Sequence, residues 1–108
     1  MKLLFICSRN QWRSPTAEAV FRNRPDLETR SAGTAASART RVSEKHLRWA
    51  DLVLVMEKRH RQFIQEQFPD CARNLNIVVL DIPDEYGYMD PELVAELEAR
   101  VPPYFNAV

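Results

Sequence analysis

Only two cysteines and two glycines occur among the 108 residues. Cys7 and Cys71 lie in neither a C-x-x-C nor a metal-ligand spacing. That argues against a disulfide scaffold and for a reducing compartment. No apolar run approaches the roughly 20 residues needed to span a bilayer. Met1 leads straight into an apolar strand, so no signal peptide is expected, and a cytoplasmic protein without a membrane partner is the default. Net charge is absent as well, with 15 basic and 15 acidic residues, so the overall balance names no partner. Nor is there an internal repeat, a linker or a low-complexity segment. The length suits one domain over residues 1–108, with a core that buries roughly 60–70% of the unfolded surface.

The charges are unevenly placed. Residues 1–41 hold eight basic groups against three acids, whereas Asp81 to Glu98 holds seven acids and no base. This segregation predicts an electropositive half that attracts anionic substrates. The alternative is that these charges are solvated helix faces.

Local patterns alternate between strand and helix. Lys2–Ile6, Leu27–Ser31, Asp51–Met56 and Asn76–Leu80 read as strands, the second stopped by Gly33. Asp51–Met56 is nearly continuous Leu and Val, as a parallel sheet covered on both faces requires. A first helix is expected with Ser14 as N-cap and Pro15 at its first position, ending near Pro25. Further helices are expected over Val42–Trp49 with Ser43 as cap, over Glu57–Phe68, and over Pro91–Arg100. Ala35–Arg41 and Ile82–Asp90 read as loops. The implied fold class is α/β: a three-layer sandwich in which helices flank a small four-stranded parallel sheet.

The chain is organised around Leu3-Leu4-Phe5-Ile6-Cys7-Ser8-Arg9-Asn10-Gln11-Trp12-Arg13-Ser14-Pro15. Here a buried strand ends at a cysteine, and a helix opens a few residues later. Successive backbone N–H groups in such a turn form an anion-binding nest, and the helix dipole adds positive potential. Arg13 brings a planar fork of donors suited to phosphate-like oxyanions. A thiol so placed is expected to ionise near neutral pH and to act as a nucleophile. The alternative for Cys7 is a structural thiol at a strand end.

Cys7 to Pro15, followed by Thr16-Ala17-Glu18-Ala19, resembles the phosphate-binding loop of the low-molecular-weight protein tyrosine phosphatases. Ser31-Ala32-Gly33-Thr34 and Ala50-Asp51-Leu52-Val53-Leu54-Val55-Met56 follow in that family's order. Ile82-Pro83-Asp84-Glu85-Tyr86-Gly87 resembles the segment that carries its acid. The resemblance implies a cysteine-dependent phosphomonoester hydrolase with a phosphocysteine intermediate and neither cofactor nor metal. Cys7 is the implied nucleophile. Ser8, Arg9, Asn10, Gln11, Trp12, Arg13 and Ser14 form the phosphate site, and Arg13 also stabilises the transition state. Ser14 would hydrogen-bond the thiolate, and Asn10, with Ser31 behind it, would hold the loop in its unusual backbone shape. Asp84 is the implied general acid and base. Asp90, in the only Asp-Pro pair of that loop, and Asp81 are the other acids in reach. Trp12, Tyr86 and Tyr88 are candidates for an aromatic substrate wall, or else rings that cover the edge of the core.

The expected substrate is a phosphorylated protein or a small phosphomonoester, with phosphate or other oxyanions as inhibitors. Nucleic acid is not indicated, although Trp12 offers one ring for stacking on a base and leaves a nucleotide or an RNA end open. This chain departs from the family's loop at Arg9, Gln11 and Trp12. Trp12 stands where a second loop cysteine is common, so Cys7 has no adjacent resolving thiol. The chain is also shorter than the family's usual members between Gly33 and Ala50, which implies a shallower site and puts phosphotyrosine selectivity in question. Two other readings stand beside the phosphatase: a phosphate-binding module without turnover, and an arsenate reductase, for which Cys71 is too few a partner thiol. His46, His60 and the run Lys58–Arg61 are expected on solvated helix faces, Cys71 at a helix end, and Trp49 in packing.

Overall fold

The computed structural model describes residues 1–105; the last three positions of the expected domain lie outside the described residues. Four parallel strands, β1 (Lys2–Cys7), β2 (Glu28–Gly33), β3 (Leu52–Val55) and β4 (Ile77–Val79), form one sheet in the order β2-β1-β3-β4. β1 and β3 are central and apolar on both faces, so each needs cover on both sides. Alternation along β1 sends Leu3, Phe5 and Cys7 to one face and Leu4 and Ile6 to the other. The first face is covered by α1 (Arg13–Phe21) and α5 (Pro91–Arg100) through Ala17, Phe21, Leu93 and Leu97. The second is covered by α2 (Glu44–Trp49), α3 (Lys58–Gln67) and the short α4 (Pro69–Ala72), with Leu47 and Ile64 innermost. The three-layer α/β arrangement is as the alternating pattern indicates. Each buried Leu, Ile or Phe contributes about 1.5–3 kcal/mol before conformational entropy is set against it. Phe21 stacks on Phe5 at 5.9 Å between ring centres and takes Phe105 edge-on at 5.7 Å.

Several boundaries differ from expectation. α1 begins at Arg13, so Ser14 lies inside the helix and does not cap it. The Trp12 carbonyl accepts both the Thr16 N–H at 3.0 Å and the Thr16 hydroxyl at 2.6 Å, which opens the first turn early. Pro15 is then the third helical residue, where its missing N–H still costs nothing. α1 ends at Phe21, well before Pro25. β2 continues through Gly33, which pairs with Cys7. The expected helix over Glu57–Phe68 stops at Gln67, because Phe68 precedes proline and takes an extended φ of −133°. Ser43 does precede α2, where its N–H donates to His46 Nδ1 at 3.1 Å.

A parallel sheet gathers the C-terminal ends of its strands at one edge, and ligands in such folds bind there. Cys7 ends β1, Glu57 follows β3, and Asp84 follows β4. No helix among the described residues is long and apolar enough to cross a membrane.

Candidate active site

Cys7 lies at the floor of a cavity of about 380 Å³, walled by Ser8, Arg9, Gln11, Trp12, Arg13, Arg59 and Asp84. The loop that forms it is anchored from behind. The carbonyls of Cys7, Ser8 and Arg9 accept the N–H groups of Thr34, Ala35 and Arg39 at 3.0, 2.9 and 3.0 Å. In a trans peptide the N–H points opposite to the C=O. The amides of Ser8, Arg9 and Asn10 are therefore turned the other way, and the Asn10 N–H reaches Cys7 Sγ at 3.3 Å. This requires Asn10 to take a φ of +55°, a conformation that Asn tolerates better than most residues. Its side chain holds the shape by donating to Ser14 Oγ at 3.0 Å and Ser31 Oγ at 2.9 Å. Ser14 Oγ in turn lies 3.0 Å from Cys7 Sγ. Asn10 and Ser14 are thus buried beneath the loop and do not line the cavity. Gly33 supplies the room: a Cβ there would stand 2.5 Å from the Ser8 carbonyl oxygen.

Arg13 is 2% exposed and enters the cavity from the first turn of α1. Its Nη1 donates to Glu57 Oε2 at 2.6 Å and to the Ile82 carbonyl at 2.8 Å. Its Nε lies 3.7 Å from Asp84 Oδ1. Glu57 Oε2 also accepts from Arg59 Nη2 at 2.9 Å. These two arginines, Arg59 first, hold the Glu57 carboxyl down at about 2. One carboxylate thus fixes two guanidinium groups at the cavity wall.

Of the three acids weighed from sequence, Asp84 alone lines this cavity. Asp90 Oδ1 accepts the Glu92 N–H at 2.9 Å and caps α5. Asp81 lines a separate depression beside Lys58 and Pro83. The aromatic wall is reduced to Trp12. Tyr86 turns inward to pack against the core, and Tyr88 is 56% exposed elsewhere on the surface. The Glu85 N–H closes back on the Pro83 carbonyl at 3.0 Å, turning the chain away after Asp84.

His60 overturns the expected solvated face of α3, while Arg59 stays exposed and lines the cavity. His60 is 1% exposed, its Nδ1 accepts the Glu57 N–H at 3.1 Å, and its Nε2 lies 2.9 Å from Ser8 Oγ. Because Nδ1 accepts, Nε2 carries the hydrogen and donates to Ser8. Burial, aided by the charges of Arg13 and Arg59, lowers the His60 pKa to about 4. His46 is likewise lowered, by burial and by Arg30. Trp49 packs as expected and carries Arg30 over its ring at 4.3 Å. Cys71 lies in α4, and its Sγ is 3.7 Å from Glu44 Oε1.

A family description of low molecular weight phosphotyrosine protein phosphatases matches residues 2–46, from β1 through the start of α2. Residues 2–46 thus carry the sequence pattern of this phosphatase family. A protein-arginine-phosphatase of Geobacillus stearothermophilus is 30% identical over 65% of this chain and 64% of its own length. The match thus spans less than two thirds of that relative. The low molecular weight protein tyrosine phosphatase of T. tengcongensis shares the fold at a TM-score of 0.82 and 24% identity, over 100% of this chain and 99% of its own. The Escherichia coli tyrosine phosphatase Wzb, solved in complex with phosphate, aligns at a TM-score of 0.75 and 25% identity, over 92% and 91%. The four-stranded parallel sheet is therefore the fold that these phosphatase structures share.

Proposed function

We propose that this chain is a member of that phosphatase family and hydrolyses O-linked phosphomonoesters through a phosphocysteine on Cys7. One observation carries the reading: Cys7, the Arg13 fork and Asp84 meet in one cavity over a loop whose carbonyls are turned away. Cys7 Sγ, as thiolate, attacks phosphorus. The S–P bond forms as the P–O bond to the leaving group breaks, and Asp84 gives its proton to the leaving oxygen. Loop amides and Arg13 hold the equatorial oxygens while charge develops on them. Asp84, now a carboxylate, takes a proton from water, which attacks phosphorus, breaks the S–P bond and releases inorganic phosphate. Ser14, 3.0 Å from Cys7 Sγ, stabilises the thiolate as attacker and as leaving group.

The relative's name raises phosphoarginine as a substrate. Arg9 and Arg59 on the wall speak against it, because a guanidinium leaving group would add positive charge beside them. Phosphotyrosine selectivity has little support either, with Tyr86 and Tyr88 away from the wall. The test is hydrolysis of p-nitrophenyl and phenyl phosphate from pH 5 to 8. Cys7→Ser should abolish turnover of both. Asp84→Asn should cost about 10²-fold or more with phenyl phosphate, whose phenol leaving group has a pKa near 10 and needs the proton. Turnover retained by Cys7→Ser would overturn the mechanism. Phosphate binding by a wild-type protein without turnover would favour the binding module.

A further inference from the structure

We propose that the cavity selects phosphomonoesters that carry a second anionic group close to the scissile phosphate, and that Arg59 binds that group. This rests on the phosphatase reading and narrows its substrate class.

Arg13 and Arg59 donate to the same oxygen, Glu57 Oε2, at 2.6 and 2.9 Å. The two donor nitrogens therefore stand closer together than those distances added. The arginines differ in what remains available to a ligand. Arg13 is 2% exposed, and its Nη1 is shared between Glu57 and the Ile82 carbonyl, which aims the fork at the Cys7 cup. Arg59 is 59% exposed, reaches Glu57 through Nη2, and lines the cavity. A guanidinium has five N–H donors, so Arg59 keeps donors for a ligand while Glu57 holds it in place.

The charge balance points the same way. Glu57 faces two guanidinium groups, and the second positive charge is offset only by Asp84, 3.7 Å from Arg13. Arg9 adds another on the wall, where Asp84 is the sole acid. When Asp84 is protonated to act as the general acid, the wall around the leaving group is cationic. The scissile phosphate takes Arg13 and the loop amides, so Arg59 is left for a neighbouring group. Two phosphates on one sugar ring have the required chemistry, since their separation is a few bonds and Arg matches phosphate geometry.

The experiment is calorimetric titration of the protein with inorganic phosphate and with methylenebisphosphonate, which cannot be hydrolysed. Wild type should bind the bisphosphonate at least about tenfold more tightly than phosphate. Arg59→Gln should bring that ratio close to one. Arg48→Gln is the charge control, because Arg48 is 73% exposed, pairs with Glu44 and lines a separate cavity near Cys71. It should leave the ratio as in wild type. Phosphate binding without a preference for the bisphosphonate overturns this proposal alone. So does an equal weakening of both ligands by Arg59→Gln, which would place Arg59 on the scissile phosphate itself, or an equal effect of Arg48→Gln. Failure of wild type to bind either ligand overturns the phosphatase reading with it.

Discussion

His60 stands almost without water, with Arg13 and Arg59 nearby, and both conditions favour the neutral ring. Its pKa of about 4 in the fold compares with 6.5 for the free side chain. Below pH 6.5 the unfolded chain therefore binds a proton that the folded chain refuses, so stability is full above that pH and falls as pH drops toward 4. Between pH 7 and pH 5 the loss is about 2 kcal/mol. Glu57, held at about 2 by its arginines, loses its contribution only below its ordinary 4.5 and stays outside this window. His46, lowered in the same sense, adds to the slope and is unaffected by a change at position 60. Urea unfolding of His60→Asn should show about 2 kcal/mol less acid destabilisation than wild type over the same range. An unchanged pH slope would mean that His60 does not carry the effect. The inward face of this residue was partly legible. His60, Ile64 and Phe68 are four apart, so the apolar stripe that placed Ile64 in the core also ran through His60. The charged neighbours Lys58, Arg59 and Arg61 obscured it.

Elements were easier to read than their caps. A continuous apolar run ending at Cys7 indicates a buried strand, and the alternation of strands and helices indicates parallel pairing. Ser14-Pro15 looked like a helix start because the same residue types serve caps and catalytic loops; here the Ser14 hydroxyl turns to Cys7 Sγ. The backing of the loop by Thr34, Ala35 and Arg39 had no local signal, since it consists of backbone bonds between distant segments. At the start of α5, the acid that the sequence placed in reach of the site has a different task. Asp90 caps the helix through the Glu92 N–H. Asp90→Ala should lower stability by about 1 kcal/mol, the usual cost of losing such a cap, and leave phenyl phosphate turnover near wild type. Unfolding and kinetics on the one variant check both. A loss of turnover as large as that expected for Asp84→Asn would make Asp90 the acid.

At the scale of the whole molecule, the two charge-rich segments do not become two faces. The basic N-terminal segment contains β1, the loop and α1, and the acidic segment contains the turn after β4 and α5. α5 lies on the same face of the sheet as α1, and Asp84 comes within 3.7 Å of Arg13. Parallel topology brings these segments together because every strand delivers its C-terminal end to one edge. The electropositive half expected from sequence is therefore partly offset in space, and Arg9, Arg13 and Arg59 gather positive charge at the cavity wall. Net charge is zero, so attraction over long distances should be weak, while attraction inside the cavity is little screened. For a dianionic aryl phosphate, kcat/KM should fall by about threefold or less between 0.02 and 0.3 M salt. Stopped-flow or steady-state kinetics across that range provide the check. A fall of about tenfold or more would require an extended basic surface outside the cavity, and would move substrate selection from Arg59 to that surface.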